Sequence, residues 1–202
     1  IARVGCIGSG VSPLLAPVEL AHQIRDAGIS VLLSLPELIT PTLAAMDSIP
    51  DSLRAVLTTG AGDCLDAPPA PAPSLPDVAC HSFAELMAAA DHRFEAVAAH
   101  WNDTFMIQYT GGTTGPPKGA MLSVRTLLSN PRLAAVYSPW EEGAEVIASA
   151  FPMFHAAGLS TIIGGLSFGA HTLLIPDPRD IEHFCQQMIA CPPTRMTGVP
   201  TL

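Results

Sequence analysis

Apolar runs alternate with helix-like segments along most of this 202-residue sequence. The first helix-like segment shows its ends clearly, because Pro17 and Glu19 stand in its first turn and Gly28 follows its last. Strands that alternate with helices favour an α/β fold, in which helices connect parallel strands. The alternation therefore predicts an α/β fold with layered, mostly parallel sheets flanked by helices, and with apolar strands buried on both faces.

The spacing of apolar residues, together with capping residues and helix-breaking residues, predicts where the individual elements lie. Strands or extended segments are expected at residues 29–33, 53–58, 104–109, 120–122, 146–150, 172–175 and 195–198. Helices are expected at residues 17–28, 36–46, 82–90, 123–135, 155–168 and 180–190. The first helix should bury a stripe formed by Val18, Leu20, Ala21 and Ile24. Ser82 with Glu85 has the pattern of a capping box, and Ser123 is the expected cap of the fourth helix.

A proline-rich stretch at residues 61–77 interrupts this alternation. It holds five prolines, whose fixed φ angles and missing N–H groups exclude a helix or a central strand. We interpret it as a surface loop or a stiff linker. The chain is expected to form two α/β lobes, residues 1–100 with this loop and residues 101–202.

Residues 109–119 read YTGGTTGPPKG and contain four glycines, three threonines, one lysine and no acidic residue. Glycines let successive amides turn inward and form an anion-binding nest, and Lys118 adds a point charge suited to phosphate. The pattern is not a Walker A motif, because Lys118 lies between Pro117 and Gly119. Between a predicted strand and a predicted helix, it indicates a site for a nucleotide polyphosphate. The alternative is a plain surface turn with a solvated lysine.

Two motifs carry a family resemblance. Residues 108–123 read QYTGGTTGPPKGAMLS, and residues 151–159 read FPMFHAAGL. They resemble the phosphate-loop signature and the next, aromatic–histidine motif of the adenylate-forming (AMP-binding) superfamily. Residues 17–28 and 175–202 resemble the bacterial long-chain fatty acid–CoA ligases, the branch to which the chain is most similar. The resemblance implies an internal fragment of the N-terminal domain of such an enzyme.

The resemblance also implies a reaction. A carboxylate attacks the α-phosphate of ATP, pyrophosphate leaves, and the thiol of coenzyme A then takes the acyl group from the adenylate. The implied substrates are ATP, a fatty acid and CoA, with Mg²⁺ bridging phosphate oxygens. Catalysis of this kind rests on positioning and charge neutralisation. The family's adenine motif, ribose aspartate and C-terminal lysine would lie beyond Leu202, so the fragment is expected to be inactive alone.

The resemblance implies particular site residues. Lys118 and Thr114 are the implied catalytic residues, and Thr114 is also the implied metal ligand. The implied nucleotide-binding residues are Thr110, Gly111, Gly112, Thr113, Thr114, Gly115, Lys118 and Gly119. The implied substrate-side residues are His155, Phe154 and Gly158. One departure is Val124 before Arg125, where the family usually has histidine.

Several alternatives stay open at this stage. His155 could be a core histidine bonded to the backbone. Gly164, Gly165 and Gly169 could leave room for an acyl chain or allow close helix packing. The enzyme could be an aryl-CoA ligase or a peptide-synthetase adenylation domain, and the fragment could be a non-catalytic truncated module. Residues 146–175 contain no Asp, Glu, Lys or Arg and are long enough to span a membrane, although one proline, two histidines and four glycines interrupt them.

Composition limits the choice of partners. The net charge is −9 and no basic stripe is visible, which argues against a nucleic-acid partner. The five cysteines have neither zinc nor disulfide spacing, which favours thiols in a reducing cytoplasm. His183 and Cys185 are a weak candidate metal pair. Peripheral membrane association through the acyl substrate is the other partner expectation.

Overall fold

The computed structural model describes residues 1–64, 68–91, 93–111 and 115–198. The chain divides into two compact units. The first unit comprises Ile1–Gly10, Val97–Gln108 and Met121–Leu202, and the second comprises Val11–Ala96 and Tyr109–Ala120. These bounds differ from those of the lobes expected at residues 1–100 and 101–202, and that division into lobes stays a prediction.

The described elements alternate as the sequence indicates. In chain order they are β1 (Gly8–Ser9), α1 (Pro17–Ala27), β2 (Val31–Ser34), α2 (Pro36–Ala44), β3 (Ala55–Thr58), β4 (Ala79–Ser82), α3 (Phe83–Ala89), β5 (Thr104–Thr110), β6 (Lys118–Ser123), α4 (Val124–Tyr137), β7 (Val146–Ser149), α5 (Ala156–Ser167), β8 (His171–Leu174), α6 (Ile181–Ala190) and β9 (Arg195–Thr197). Short 3₁₀ helices lie at Ala2–Val4 and Ala61–Cys64. The predicted α/β class with parallel sheets and flanking helices is confirmed.

The second unit is built on a parallel sheet with strand order β2-β3-β4. Helices α1 and α2 pack on one face of it and bury a continuous apolar cluster there. That cluster consists of Leu20, Ile24, Leu32, Ile39, Leu43, Leu53 and Val56. Helix α1 ends as predicted, because Gly28 has a φ of 62° and its N–H bonds back to the last turn.

Three expectations for this unit are wrong. Val18 is 75% exposed, since it lies about 110° around the helix axis from the middle of the buried stripe. Val31 and Leu33 are 53% and 50% exposed, because the two helices cover one face of the sheet and β2 alternates between faces. Ser82 precedes α3 as predicted, but its side chain accepts no capping hydrogen bond, so the capping box does not form.

The proline-rich stretch is tied down on both sides of residues 65–67, which lie outside the described part. The buried Thr58 hydroxyl donates to the carbonyl of Pro71 at 2.8 Å. The Asp63 carboxylate accepts from the amide of Ala70 at 2.9 Å, and this bond lowers the pKa of Asp63. Residues 68–75 form neither helix nor strand, which agrees with the predicted loop.

The remaining strands, which lie wholly or partly in the first unit, form two sheets. One has the order β1-β5-β6, with β1 parallel to β5, and the other has the order β8-β7-β9, with β7 parallel to both neighbours. Helix α4 begins as predicted, because the Ser123 hydroxyl accepts from the amide of Thr126 at 3.2 Å. Ile147 and Ala148 of β7 are buried, as its apolar sequence requires.

In the first unit, a cluster of polar and aromatic side chains holds β9 in place. Arg195 Nε lies 2.8 Å from Glu145 Oε1, and the guanidinium stands 5.0 Å from the ring centre of Trp140. Trp140 stacks on Phe168 with 5.0 Å between ring centres. Thr194 donates to Glu145, and this bond, together with Arg195, lowers the pKa of Glu145 to about 2.

Residues 146–175, considered above as a membrane span, form β7, α5 and β8. In the part of the chain that the structure describes, every helix is too short or too polar to cross a bilayer.

Candidate nucleotide and acyl site

The glycine-rich loop connects two strands, because β5 ends at Thr110 and β6 begins at Lys118. Gly112, Thr113 and Thr114 lie outside the described residues, so the predicted nest and the predicted metal ligand stay predictions. The described parts of the loop are Thr110 with Gly111 and the stretch from Gly115 onwards.

The described glycines of the loop differ in backbone conformation. Gly115 has a φ of +92°, which side-chain-bearing residues rarely adopt. Gly111 lies outside that region, and a Cβ added to it would meet no atom of the described residues within 4 Å. Both positions leave the backbone open on at least one side, as close approach of a ligand to the main chain requires.

Lys118 is the only lysine among the 202 residues. Its side chain is exposed at the start of β6, and it forms no ion pair with any of the described residues. Gly119 follows it and is half-buried. An ammonium group that forms no ion pair with the described residues, and that lies beside a loop without carboxylates, is able to neutralise phosphate charge.

Helix α1 contacts both ends of this loop within the second unit. The hydroxyl of Tyr109 donates to Asp26 Oδ2 at 2.6 Å, and His22 Nε2 lies 3.0 Å from the carbonyl oxygen of Pro117. Burial, with the Asp26 carboxylate, raises the pKa of Tyr109. Sequence reasoning missed His22 and Asp26, although their spacing of four residues places them on one helix face.

In the first unit, the carboxyl ends of β1 and β5 meet the segment before α5. Gln108 Nε2 donates to the carbonyl oxygen of Phe154 at 2.6 Å, and a Cβ added to Gly10 would lie 2.9 Å from the Phe154 Cα. The carboxyl edge of parallel strands is where α/β proteins commonly bind ligands. Gln108 and Gly10 therefore fix the backbone of one predicted substrate residue, a role that the sequence did not indicate.

His155 is the N-cap of α5. Its Nδ1 accepts a hydrogen bond from the amide of Ala157 at 3.2 Å, and the side chain is exposed. The ring is therefore not the buried core histidine considered as an alternative. Its substrate-side role stays a prediction.

Gly158 has a packing function. A Cβ added to it would lie 2.2 Å from the carbonyl oxygen of Pro152, so the segment before α5 approaches the helix at van der Waals distance from the bare backbone. Gly164 and Gly165 likewise face Trp140 and Thr172. These contacts favour close packing over an open channel at both positions.

An apolar cavity of about 360 Å³ lies between α4 and α5. Its lining residues are Phe105, Val124, Leu127, Leu128, Ile163, Leu166 and Ser167. The lining residues of α5 lie in its C-terminal half, about 12–18 Å along the helix from His155. The cavity is therefore separate from the predicted substrate residues.

Among the described residues, no three His, Cys, Asp or Glu side chains are grouped closely enough to hold a metal ion. His183 and Cys185 accordingly have no third partner there. The loop residues and the substrate-side residues belong to different units, so the structure describes the two groups separately.

Comparison with known proteins gives the family. The family model described as AMP-binding enzyme matches residues 1–202, the whole chain. The chain belongs to the AMP-binding enzyme family. The family assignment agrees with the loop and the aromatic–histidine motif, which are the residues that carried the resemblance.

Individual relatives refine the comparison. A long-chain-fatty-acid–CoA ligase of Salmonella typhimurium is 31% identical over 226 residues, covering 100% of this chain and 38% of the relative. The anthranilate CoA ligase AuaEII, solved with anthranoyl-AMP, superimposes with a TM-score of 0.82 at 22% identity, over 98% of this chain and 36% of that one. ATP-bound MatB from Rhodopseudomonas palustris superimposes with a TM-score of 0.72 at 26% identity, over 98% of this chain and 35% of that one. The fold is that of the N-terminal domain of adenylate-forming enzymes.

Proposed function

We propose that the protein carrying this chain joins a long-chain fatty acid to coenzyme A, using ATP. In the first step a carboxylate oxygen bonds to the α-phosphorus and the bond to pyrophosphate breaks. In the second step the CoA thiol bonds to the acyl carbon, AMP leaves with the electron pair of the broken bond, and the thiol proton is released. A carboxylate is already ionised at neutral pH, so the first step needs no general base.

The loop between β5 and β6 is the observation that carries this proposal. It combines the only lysine of the chain with a glycine at positive φ and open backbone at Gly111. Lys118 would meet the charge of the β- and γ-phosphates, and the loop amides and hydroxyls would orient them. Mg²⁺ would supply further charge neutralisation as the nucleotide's counter-ion, with Thr114 as its predicted ligand.

The choice of a fatty acid rests on the relatives. The family shown for this chain includes CoA ligases, and the Salmonella relative at 31% identity bears the name of a long-chain fatty acid ligase. The similarity to the anthranilate enzyme is at 22% identity and concerns the fold. The chain spans 38% of the Salmonella relative, so the reaction is proposed for the whole protein. We propose the cytoplasm as its location.

ATP–pyrophosphate exchange tests the proposal. The whole protein should exchange pyrophosphate into ATP in the presence of palmitate, more slowly with benzoate, and not without an acid. Lys118→Ala should slow the exchange about ten- to a hundredfold, because one hydrogen bond to a charged group contributes about 1.5–3 kcal/mol. Arg132→Ala is the matched control, since it removes one positive charge from an exposed site on α4.

Chemical labelling of Lys118, located in the whole protein by mass spectrometry of its peptides, allows a second, direct measurement. Pyridoxal phosphate with borohydride should label Lys118, and MgATP should protect it. Faster exchange with benzoate than with palmitate would contradict the fatty acid and indicate an aromatic acid as the substrate. Absence of exchange with every acid, together with labelling that MgATP does not reduce, would support a non-catalytic module instead.

A further inference from the structure

Two hydrogen bonds connect the ends of the glycine-rich loop to a single helix. On the entering side, the Tyr109 hydroxyl donates to Asp26 Oδ2 at 2.6 Å. On the leaving side, His22 Nε2 and the carbonyl oxygen of Pro117 are 3.0 Å apart. In the sequence, residues 110–116 lie between these two anchored positions and include all of the predicted nucleotide-binding residues except Lys118 and Gly119. All four groups belong to the second unit.

The donor of each bond follows from the chemistry of its partners. The Pro117 carbonyl accepts only, so the proton of the second bond is on His22 Nε2. The Asp26 carboxylate accepts, and a raised pKa keeps the Tyr109 hydroxyl protonated as its donor. Because Pro117 has no N–H, its carbonyl is the only main-chain hydrogen-bonding group that this residue offers.

Helix α1 is a firm base for these contacts. His22 and Asp26 are one helical turn apart and share a face. On the opposite side, Leu20 and Ile24 are buried in the apolar cluster of the second unit. The left-handed Gly28 closes the end of the helix two residues after Asp26. Side chains on a packed helix hold a site more firmly than side chains on a loop do.

We propose that His22 and Asp26 are positioning residues that fix the two ends of the phosphate loop against α1 and so hold its amides and Lys118 in place for ATP. This role rests on the proposed function. Neither residue is proposed to touch ATP. Their removal would let the ends of the loop move, and the phosphates would then meet a loop that must be ordered on binding.

The charge of Asp26 makes this proposal sharply testable. A carboxylate near a polyphosphate site repels ATP, so its removal should strengthen ATP binding if electrostatics alone matters. Loss of positioning should weaken ATP binding instead. The two explanations therefore predict opposite signs for Asp26→Ala.

The experiment measures the KM for ATP, the KM for palmitate and kcat of pyrophosphate exchange in the whole protein. Asp26→Ala and Tyr109→Phe should each raise the KM for ATP about five- to tenfold, as expected for loss of one charge-assisted hydrogen bond that acts indirectly. The KM for palmitate should stay within about twofold of the unaltered value, because the substrate-side residues are not anchored by α1. The double variant should resemble either single variant.

His22 offers a conservative rescue. His22→Leu removes the donor to the Pro117 carbonyl and should raise the KM for ATP about threefold or more. His22→Gln supplies an amide N–H and should restore most of the loss. Asp47→Ala is the control for charge, since it removes one carboxylate from an exposed bend after α2. It should leave the KM for ATP unchanged.

Hydrogen exchange of residues 109–120 reports on the anchors without ATP. Faster exchange there in Asp26→Ala, Tyr109→Phe and His22→Leu, with the higher KM for ATP, supports the proposal. If the unaltered protein exchanges pyrophosphate but the KM for ATP of these variants is unchanged or lower, the anchoring role is wrong and the proposed function stands. Absence of pyrophosphate exchange in the unaltered protein would overturn the proposed function and this role with it.

Discussion

Substitution of alanine for Gly158 should destabilise this fold more than the same substitution at the other glycines of α5. A Cβ there would lie 2.2 Å from the carbonyl oxygen of Pro152 and 2.9 Å from that of Phe151. Non-bonded carbon atoms pack at about 3.5 Å or more, so the two backbone segments must separate by about 1 Å. The obstructing atoms are main-chain atoms, which cannot move away by changing rotamer.

The expected magnitude follows from two opposing contributions. Overpacking costs about 1–3 kcal/mol. Replacing glycine by alanine within a helix stabilises it by up to about 1 kcal/mol. Because backbone cannot yield as a side chain does, we expect Gly158→Ala to lower the free energy of unfolding by about 2 kcal/mol.

Two glycines of the same helix complete a graded series. At Gly165 an added Cβ would lie 2.7 Å from Thr172 Oγ1 and 3.2 Å from Ile147 Cδ1, both of which are side-chain atoms that can shift. At Gly164 the nearest atom would be in the Trp140 ring at 3.6 Å, which is ordinary contact. Gly165→Ala should therefore have an intermediate effect, and Gly164→Ala should be neutral or stabilising by up to about 1 kcal/mol.

Urea unfolding of the three variants, followed by circular dichroism, measures this order. The midpoint should be lowest for Gly158→Ala and highest for Gly164→Ala. Equal midpoints for these two variants, with unchanged slopes, would refute the reasoning, because helix propensity alone favours both substitutions.

Two more predictions concern the loop and the Glu145 cluster. Gly115→Ala should lower the free energy of unfolding by about 1 kcal/mol because its φ is +92°, whereas Gly111→Ala should change it by less than about 0.5 kcal/mol. If ATP lies against the loop backbone, Gly111→Ala should still weaken ATP binding in a titration, and equal affinity would contradict that placement. The Thr194 and Arg195 contacts lower the pKa of Glu145 from 4.5 to about 2, so their stabilisation is present above about pH 4.5 and is lost as the pH falls towards 2. The difference in unfolding free energy between the unaltered chain and Glu145→Gln should therefore shrink over this range, and a pH-independent difference would argue against the cluster.

The sequence predicted the type of most elements because their ends carry local chemistry. Pro17 and Gly28 mark α1, and Ser123 marks the start of α4, all three as the structure has them. Strand β4 was missed, since Ala79–Ser82 mixes polar and apolar residues and follows a proline-rich loop. It forms because its main chain pairs with β3, a non-local interaction that no short window contains.

The exposure of β2 shows a second limit. An apolar run such as that around Leu33 does not state which of its faces a helix covers. The whole run was therefore predicted to be buried, whereas the structure buries Leu32 and leaves Val31 half exposed. Tertiary packing decided the outcome, and the sequence pattern alone could not.

The candidate site divides in the same way. Lys118 and the loop glycines were found from composition and from the family motif, which are local. The contacts of Asp26 with Tyr109 and of His22 with Pro117 span 83 and 95 residues. No spacing rule connects residues so far apart, so the anchors of the loop became visible only in the folded chain.

The cap at the start of α5 has a chemical consequence for His155. Since its Nδ1 accepts from the amide of Ala157, the neutral imidazole carries its hydrogen on Nε2. The outward nitrogen then offers a donor and no lone pair, so in this tautomer the ring can orient an oxygen atom but cannot abstract a proton through that nitrogen. The hydrogen bond that begins the helix thereby selects one of the two neutral tautomers of a histidine whose side chain is exposed to solvent.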